Sequence, residues 1–176
     1  MTEDLSRWRE LRRIGAEANC YLVWDEITRE GALFDGLPDA ETIFKVIESE
    51  DVQLRHIFLS HEQSIETLRA RFPKVLLHTS AKDALPQHRN RSNDFIHLGN
   101  LRITNRGLMD DKVAYIVGNW PEDAPHVAIV GDLRGLPETM IREKVLTLPA
   151  GTLLCPRYRP LTTVARQAAD RGSRPD

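Results

Sequence analysis

The order of strand-like and helix-like apolar patterns constrains this chain more than any other feature of its sequence. Two apolar runs near the N-terminus, NCYLVW and GALFDG, predict a hairpin across the polar connection DEITRE. The apolar spacing then becomes helical over residues 40–50, where Ile43, Val46 and Ile47 share one face. The following patterns predict three further elements: a strand over 54–61, a helix over 64–72 capped by Ser64, and a strand over 74–80.

Strand-like runs dominate the second half of the chain. A polar segment over 82–94, predicted as a short helix and a loop, comes first. Four runs separated by Gly, Asn and Pro then predict a second sheet: DFIHLG, LRITNRG, KVAYIVG and HVAIVGD. The last patterns predict a helix over 137–149 with Pro137 at its start, a strand over 152–158, and a closing helix over 162–172 that ends at Gly172.

Two sheets with helices on their outer faces satisfy this order of elements. A chain of 176 residues is long enough to bury one core and too short for two ordinary domains. We therefore predict a single domain over 1–176 that folds as a four-layer α/β/β/α sandwich. Residues 1–10 and 172–176 are expected to be peripheral.

The composition is that of an ordinary globular protein. Hydrophobic residues make up 41% of the chain and charged residues 28%, and the formal net charge is −2. The charged N-terminal residues do not resemble a signal peptide, and no apolar run reaches the roughly 18 residues of a membrane span, so a cytoplasmic location is predicted. Cys20 and Cys155 each lie in an apolar run and are predicted to be buried side chains rather than disulfide partners.

Five local sequences carry a resemblance to a known family: NCYLVWDEITREGALFDG, LRHIFLSH, LRITNRGLMDDKVAYIVG, VAIVGDL and TLLCPRYRPLTTV. In this order they resemble the opening hairpin, the Thr-His strand end, the Pro-Gly-His turn, the Gly-Asp strand end and the last strand of the metallo-β-lactamase superfamily. The small glyoxalase II-like members are the most similar. The resemblance runs from about residue 18 to residue 166 and implies the same α/β/β/α sandwich.

That family holds one or two metal ions with five histidines and two aspartates. The resemblance places His61 at the first histidine of the HxHxDH motif and Asp132 at the bridging aspartate. The other five positions are changed: Gln63, Ile65 and Glu66 in the motif, Leu108 at the Pro-Gly-His turn, and Tyr158 near the last strand. With two of seven implied ligands retained, a binuclear centre is not expected, and we predict that the protein uses no cofactor.

One zinc, iron or manganese ion bound by His61, Glu66 and Asp132 is the alternative, because one histidine and two carboxylates suit all three metals. The same residues also have a purely structural interpretation. His61 would be a hydrogen-bonded loop residue, Asp132 would accept bonds from backbone N–H groups of its turn, and Glu66 would favour the first turn of a helix.

Arginines cluster in sequence around the implied site. Arg106 precedes the changed turn, Arg134 follows Asp132, and Arg157 and Arg159 flank Tyr158. Guanidinium groups bind carboxylates and phosphates in bidentate geometry, so these four arginines, with Gln63 and Tyr158, are candidate ligand-binding residues for a small anion. The competing interpretation is that the arginines are solvated surface residues paired with Asp110, Asp111 or Glu138.

Three functional hypotheses follow. The first is a pseudoenzyme that binds a small anion or a protein partner through the former active-site face. The second is a mononuclear metal-dependent hydrolase of an ester or thioester, and the third is a structural subunit of a homo-oligomer or complex. The basic segment QHRNRSND lacks interleaved aromatic residues for base stacking, which favours a solvated loop over a nucleic-acid interface.

Overall fold

Two sheets stack face to face in the described part of the chain, which comprises residues 11–15, 17–61, 63–79, 91–109, 111–121 and 124–172 of this computed structural model. The first sheet has the strand order β1-β2-β3-β4-β5. Its strands are β1 (Leu11–Ile14), β2 (Cys20–Trp24), β3 (Glu30–Phe34), β4 (Gln53–Phe58) and β5 (Leu76–His78). The predicted hairpin is confirmed, because β2 pairs antiparallel with β3, whereas β3 and β4 run parallel.

The second sheet has the order β11-β10-β9-β8-β7-β6. Its strands are β6 (Phe95–Leu98), β7 (Leu101–Met109), β8 (Lys112–Asn119), β9 (Ala124–Gly131), β10 (Leu153–Pro156) and β11 (Thr162–Thr163). The four predicted runs of the second half form the antiparallel series from β6 to β9, as expected. The next strand, β10, pairs parallel with β9.

Four helices cover the outer faces of the described sheets. They are α1 (Ala40–Ser49), α2 (Glu66–Arg71), α3 (Glu138–Lys144) and α4 (Val164–Gly172). The predicted amphipathic face of α1 is confirmed, with Ile43 and Ile47 buried and Val46 partly buried against the first sheet. None of the helices in the described residues has the length and apolar character needed to cross a lipid bilayer.

Three apolar clusters separate four layers. One lies between the sheets and contains Tyr21, Phe34 and Tyr115. A second packs α1 and α2 against the first sheet, and a third packs α3 and α4 against the second. The α/β/β/α sandwich is therefore confirmed, as are the buried, unpaired cysteines Cys20 and Cys155.

Two local features differ from the predictions. The strand β1 was not predicted, since its sequence LRRI places two arginines between its buried ends. Ser64 is not the cap of α2, because the helix begins at Glu66 and the cap position is Ile65, whose side chain accepts no capping bond. Most of the helix and loop predicted over 82–94, and the whole of residues 1–10, lie outside the described residues.

Candidate functional site

Strand ends bring the candidate residues together. Asp35 follows β3 and His61 lies shortly after β4, and these two strands are parallel neighbours. Asp132 follows β9 and Arg157 follows β10, which are also parallel neighbours in the second sheet. Because the carboxyl ends of parallel strands lie at the same edge of a sheet, each pair of loops meets there.

A buried carboxylate organises the loop after β4. Asp35 is 2% exposed, and it accepts hydrogen bonds from the Ser60 backbone N–H at 2.7 Å and the Ser60 hydroxyl at 2.7 Å. Gln63 donates to the same carboxylate at 2.9 Å, and its carbonyl oxygen accepts from the Gly36 N–H at 2.7 Å. Both ends of the Gln63 amide therefore bind the protein itself.

A buried guanidinium faces this carboxylate from the second sheet. Arg157 is 8% exposed, and its Nη1 lies 3.8 Å from Asp35 Oδ2. This nitrogen is buried and has no hydrogen-bond partner among the described residues. The Arg157 backbone N–H donates to the Gly131 carbonyl at 2.9 Å, which fixes the loop after β10 to the end of β9. Asp35, Ser60, His61, Gln63 and Arg157 are referred to below as the Asp35 network.

The imidazole of His61 belongs to this network. Its Nδ1 lies 3.2 Å from Ser60 Oγ and 3.8 Å from Asp35 Oδ1, so His61 is hydrogen-bonded within its loop, as the structural interpretation expects. Burial lowers the pKa of His61 below its ordinary value of 6.5, and the positive charge of Arg157 lowers it further. The carboxylates of Asp35 and, to a smaller extent, Asp132 oppose this shift.

Asp132 itself is engaged by Arg134. The guanidinium of Arg134 donates to both carboxylate oxygens, from Nε at 2.9 Å and from Nη2 at 3.0 Å. The backbone N–H of Arg134 also donates to Asp132 at 3.0 Å, as the structural interpretation of this turn predicts. These bonds hold the pKa of the Asp132 carboxyl below its usual range.

A cavity of about 490 Å³ opens beside Asp132, between the loops after β9 and β10 and the helix α4. Four arginines line it: Arg134, Arg159, Arg166 and Arg171. Among the described residues the lining carboxylates are Asp132 and Asp170, so positive side chains outnumber negative ones there. Tyr158 also lines this arginine-lined cavity, and its ring lies 4.7 Å from the Arg134 guanidinium carbon and 5.5 Å from that of Arg157.

The predicted arginines are thus divided among three places. Arg134 and Arg159 line the cavity, whereas Arg157 is buried in the Asp35 network. Arg106 lies elsewhere, because it is paired with Ala114 on the helix-covered face of the second sheet and donates to the Lys144 carbonyl at the end of α3, 2.9 Å away. Of the predicted ion-pair partners, Glu138 pairs with Arg142 and Arg171, and Asp110 lies outside the described residues.

The remaining implied ligand positions do not converge. Leu108 is buried in the apolar cluster under α3 and α4, and Ile65 is buried under the first sheet. Glu66 is exposed in the first turn of α2, as predicted, and it is not among the charges that shift the pKa of His61. The described residues contain no group of three His, Cys, Asp or Glu side chains arranged to hold a metal ion.

These side chains do not fit the binuclear centre of the family that the sequence resembles. His61 and Asp132 are two donors, fewer than the three protein ligands of an ordinary catalytic zinc site. The Gln63 amide binds Asp35 and Gly36, and both Asp132 oxygens bind Arg134. The neighbouring cationic groups are guanidinium groups, which cannot act as metal ligands.

Sequence reasoning missed four residues of this region. Asp35 and Ser60 lie within the motifs given above, and Asp35, an acidic residue between an apolar run and a glycine, carries a detectable signal. Arg166 and Arg171 were assigned only to the closing helix. Their position beside Arg134 depends on how α4 packs against the second sheet, for which the sequence carries no local signal.

No protein-family model matches the sequence, and no curated protein matches it. Solved structures do match. ETHE1 from Myxococcus xanthus is 22% identical with a TM-score of 0.73, over 89% of this chain and 80% of that one. A metallo-β-lactamase from Staphylococcus aureus is 16% identical with a TM-score of 0.76, over 94% of this chain and 63% of that one.

A third structure, TTHA1623 in a di-iron-bound form, is 20% identical with a TM-score of 0.63, over 90% of this chain and 96% of that one. Identities this low establish the fold alone. The chain has the metallo-β-lactamase fold, as the five local sequences predicted.

Proposed function

We propose that this chain is a non-hydrolytic protein of the metallo-β-lactamase fold that binds a small anion in the arginine-lined cavity. The observation that supports the proposal best is the composition of the cavity wall, where four arginines face two aspartates. Guanidinium groups are always charged and match the oxygens of carboxylates and phosphates. Of the ligand positions that the family resemblance implies, Asp132 and Tyr158 line this cavity, whereas His61, Gln63 and Glu66 do not.

Arg159 is the arginine best suited to meet an incoming anion. It is exposed at the rim, and no carboxylate pairs with it within the described ranges. Arg134 and Arg171 are already paired, with Asp132 and Glu138 respectively. An anion bound at Arg159 would therefore gain a charge-assisted bond without breaking an existing ion pair.

The competing hypothesis is a mononuclear hydrolase that uses His61, Glu66 and Asp132 as metal ligands. One solved neighbour is described in a di-iron-bound form, so the metal content of this protein is the decisive measurement. We expect protein purified without chelator and without a metal-affinity tag to contain well under one equivalent of zinc, iron or manganese. One equivalent or more, lost in both His61→Ala and Asp132→Ala, would refute the non-hydrolytic assignment.

Anion binding is tested separately with inorganic phosphate. At constant ionic strength, phosphate should raise the unfolding midpoint and give a saturable calorimetric isotherm, since a ligand of the folded state stabilises it by mass action. Arg159→Gln should weaken phosphate binding by at least about tenfold, because a hydrogen bond to a charged group contributes roughly 1.5 to 3 kcal/mol. Arg69→Gln, an exposed arginine of α2 far from the cavity lining, is the matched control and should bind normally.

A further inference from the structure

The arginine-lined cavity has an apolar floor. Val130 and Leu154 come from the outer face of the second sheet, and Ile141 comes from α3. Leu133, Leu136 and Leu161 complete this surface. Within the floor only Leu133 is more than slightly exposed, since the other five side chains are at most 9% exposed. The floor therefore presents mainly the Leu133 side chain to a ligand, with small parts of the other five, beside the guanidinium groups.

The cationic wall contains donors that the protein does not satisfy internally. Arg171 pairs with Glu138 through Nη1, but its Nε is buried and has no hydrogen-bond partner in the described part of the chain. At the rim, Arg159 has no carboxylate partner within the same residues. A buried donor without an acceptor costs free energy, and an oxyanion that reached this Nε would relieve that cost.

The size of the cavity separates two classes of anion. A volume of about 490 Å³ falls within the range of roughly 300 to 1,000 Å³ typical of small-molecule sites. An inorganic ion occupies only a small part of such a volume and leaves the exposed part of the floor, mainly Leu133, in contact with water. Burying that floor against a hydrocarbon group gains roughly fourfold in affinity per methylene.

From these three observations we infer that the ligand is an amphipathic oxyanion: a carboxylate or phosphate head held at Arg159, with an apolar body of medium length on the floor that contains Leu133. The inference rests on the proposed function and specifies its ligand class. Any metabolite with such a head and body would satisfy this ligand class, because the guanidinium groups and the floor lie at fixed positions relative to each other.

Octanoate, acetate and octanol separate the contributions of head and body. Calorimetry at constant ionic strength should show octanoate binding at least about a hundredfold more tightly than acetate, because six further methylenes leave water. Octanol, which has the body without the charge, should bind at least about tenfold more weakly than octanoate. Equal affinity of octanoate with either acetate or octanol would overturn the inference.

Two variants assign the binding to this cavity. Leu133→Ser should weaken octanoate binding while phosphate affinity stays unchanged, and Arg159→Gln should weaken both. Leu54→Ser changes a similarly half-buried leucine of the first sheet and should alter neither. Thermal unfolding of each variant verifies that it is folded.

The inference and the proposed function fail in different ways. If phosphate binds and Arg159→Gln weakens it, but octanoate binds no better than acetate, the amphipathic ligand class is wrong and the proposed function stands. If neither octanoate nor phosphate binds, both are wrong.

Discussion

The carboxylate of Asp35 accepts two hydrogen bonds from Ser60, one from its backbone N–H and one from its hydroxyl, each 2.7 Å long. These bonds join the ends of the parallel strands β3 and β4 and fix the start of the loop that carries His61. Arg157 from the second sheet lies 3.8 Å from the same carboxylate. Asp35 is therefore the residue on which the arrangement of this loop most directly depends.

We expect Asp35→Asn to lower the free energy of unfolding by about 3 kcal/mol or more, because it leaves the buried Arg157 cation uncompensated. The asparagine amide also presents a donor where Ser60 and Gln63 donate. Urea unfolding monitored by circular dichroism measures the effect.

Asp51→Asn is the matched control for this change. Asp51 also has a positive φ, 50° against 64° for Asp35, but it is exposed on the surface. Its replacement should change the free energy of unfolding by less than about 0.5 kcal/mol. Equal losses in the two variants would show that the backbone conformation, and not the buried charge, determines the cost.

Gly131→Ala should be destabilising for a reason specific to this site. Gly131 has φ of 61°, and a Cβ there would lie 2.9 Å from Ser60 Oγ and 3.0 Å from Ser60 Cβ. Gly135→Ala is the control, since Gly135 has φ of 77° and no atom within 4 Å of the added Cβ. Both variants adopt the left-handed conformation, so the clash alone should cost Gly131→Ala about 1 to 3 kcal/mol more in urea unfolding. Indistinguishable midpoints would contradict the close approach of β9 to Ser60.

The order of elements was predictable because apolar period is a local property of the sequence. Ile43 and Ile47 define one face of α1 within a single helical run. The strand β1 was not predictable in this way. It depends on pairing with β2, where Ile14 is opposite Cys20, and its own sequence alternates poorly.

The site was less predictable than the fold, because its contacts join distant parts of the chain. Asp35 and Ser60 are separated by 25 residues, and Arg157 comes from the other sheet.

Arg106 shows a second reason why the site was hard to predict, since strand register decides its position. Directly opposite residues of an antiparallel pair share a face, so its pairing with Ala114 places it under the helices. A register shift between Gly107 and Met109 also changes the pairing at the end of the β7–β8 hairpin.

The pKa of His61 predicts how stability depends on pH. Its folded-state pKa lies below the ordinary 6.5, mainly because of burial, so the unfolded chain binds the proton more readily. The stabilising contribution is complete above about pH 6.5 and is lost as the pH falls through the folded-state pKa. His61→Gln should therefore lose less stability than the parent protein between about pH 7.5 and pH 5 in urea unfolding. A larger loss of stability in His61→Gln than in the parent protein would show that folding raises the pKa of His61 rather than lowering it.

Asp132→Asn tests the electrostatic contact between Asp132 and His61. The Asp132 carboxylate raises the pKa of His61, so its removal should lower that pKa further in an NMR titration. His56 serves as an internal control, because its pKa is also lowered by burial but is influenced by Glu30 and Arg55 rather than Asp132. A shift of both histidines would indicate a general structural change.

Asn19 should control the position of the loop that carries Arg157, Tyr158 and Arg159. Its side-chain amide donates to the Pro156 carbonyl at 2.9 Å and to the Arg159 carbonyl at 3.0 Å. Asn19 is 6% exposed, so Asn19→Ala removes one buried and one partly buried bond and should cost about 1 to 2 kcal/mol in urea unfolding. Hydrogen exchange of the Arg157 amide, which bonds to Gly131, should accelerate in the folded protein.

The same substitution links this loop to ligand binding. Because Arg159 would no longer be held in place, Asn19→Ala should weaken phosphate binding although Asn19 does not line the cavity. Asn100→Ala, which truncates an exposed asparagine, should change neither the exchange rate nor the affinity. Faster exchange of the Arg157 amide with unchanged phosphate affinity would show that anion binding does not depend on this loop. Unchanged exchange would show that the Asn19 bonds do not hold the loop.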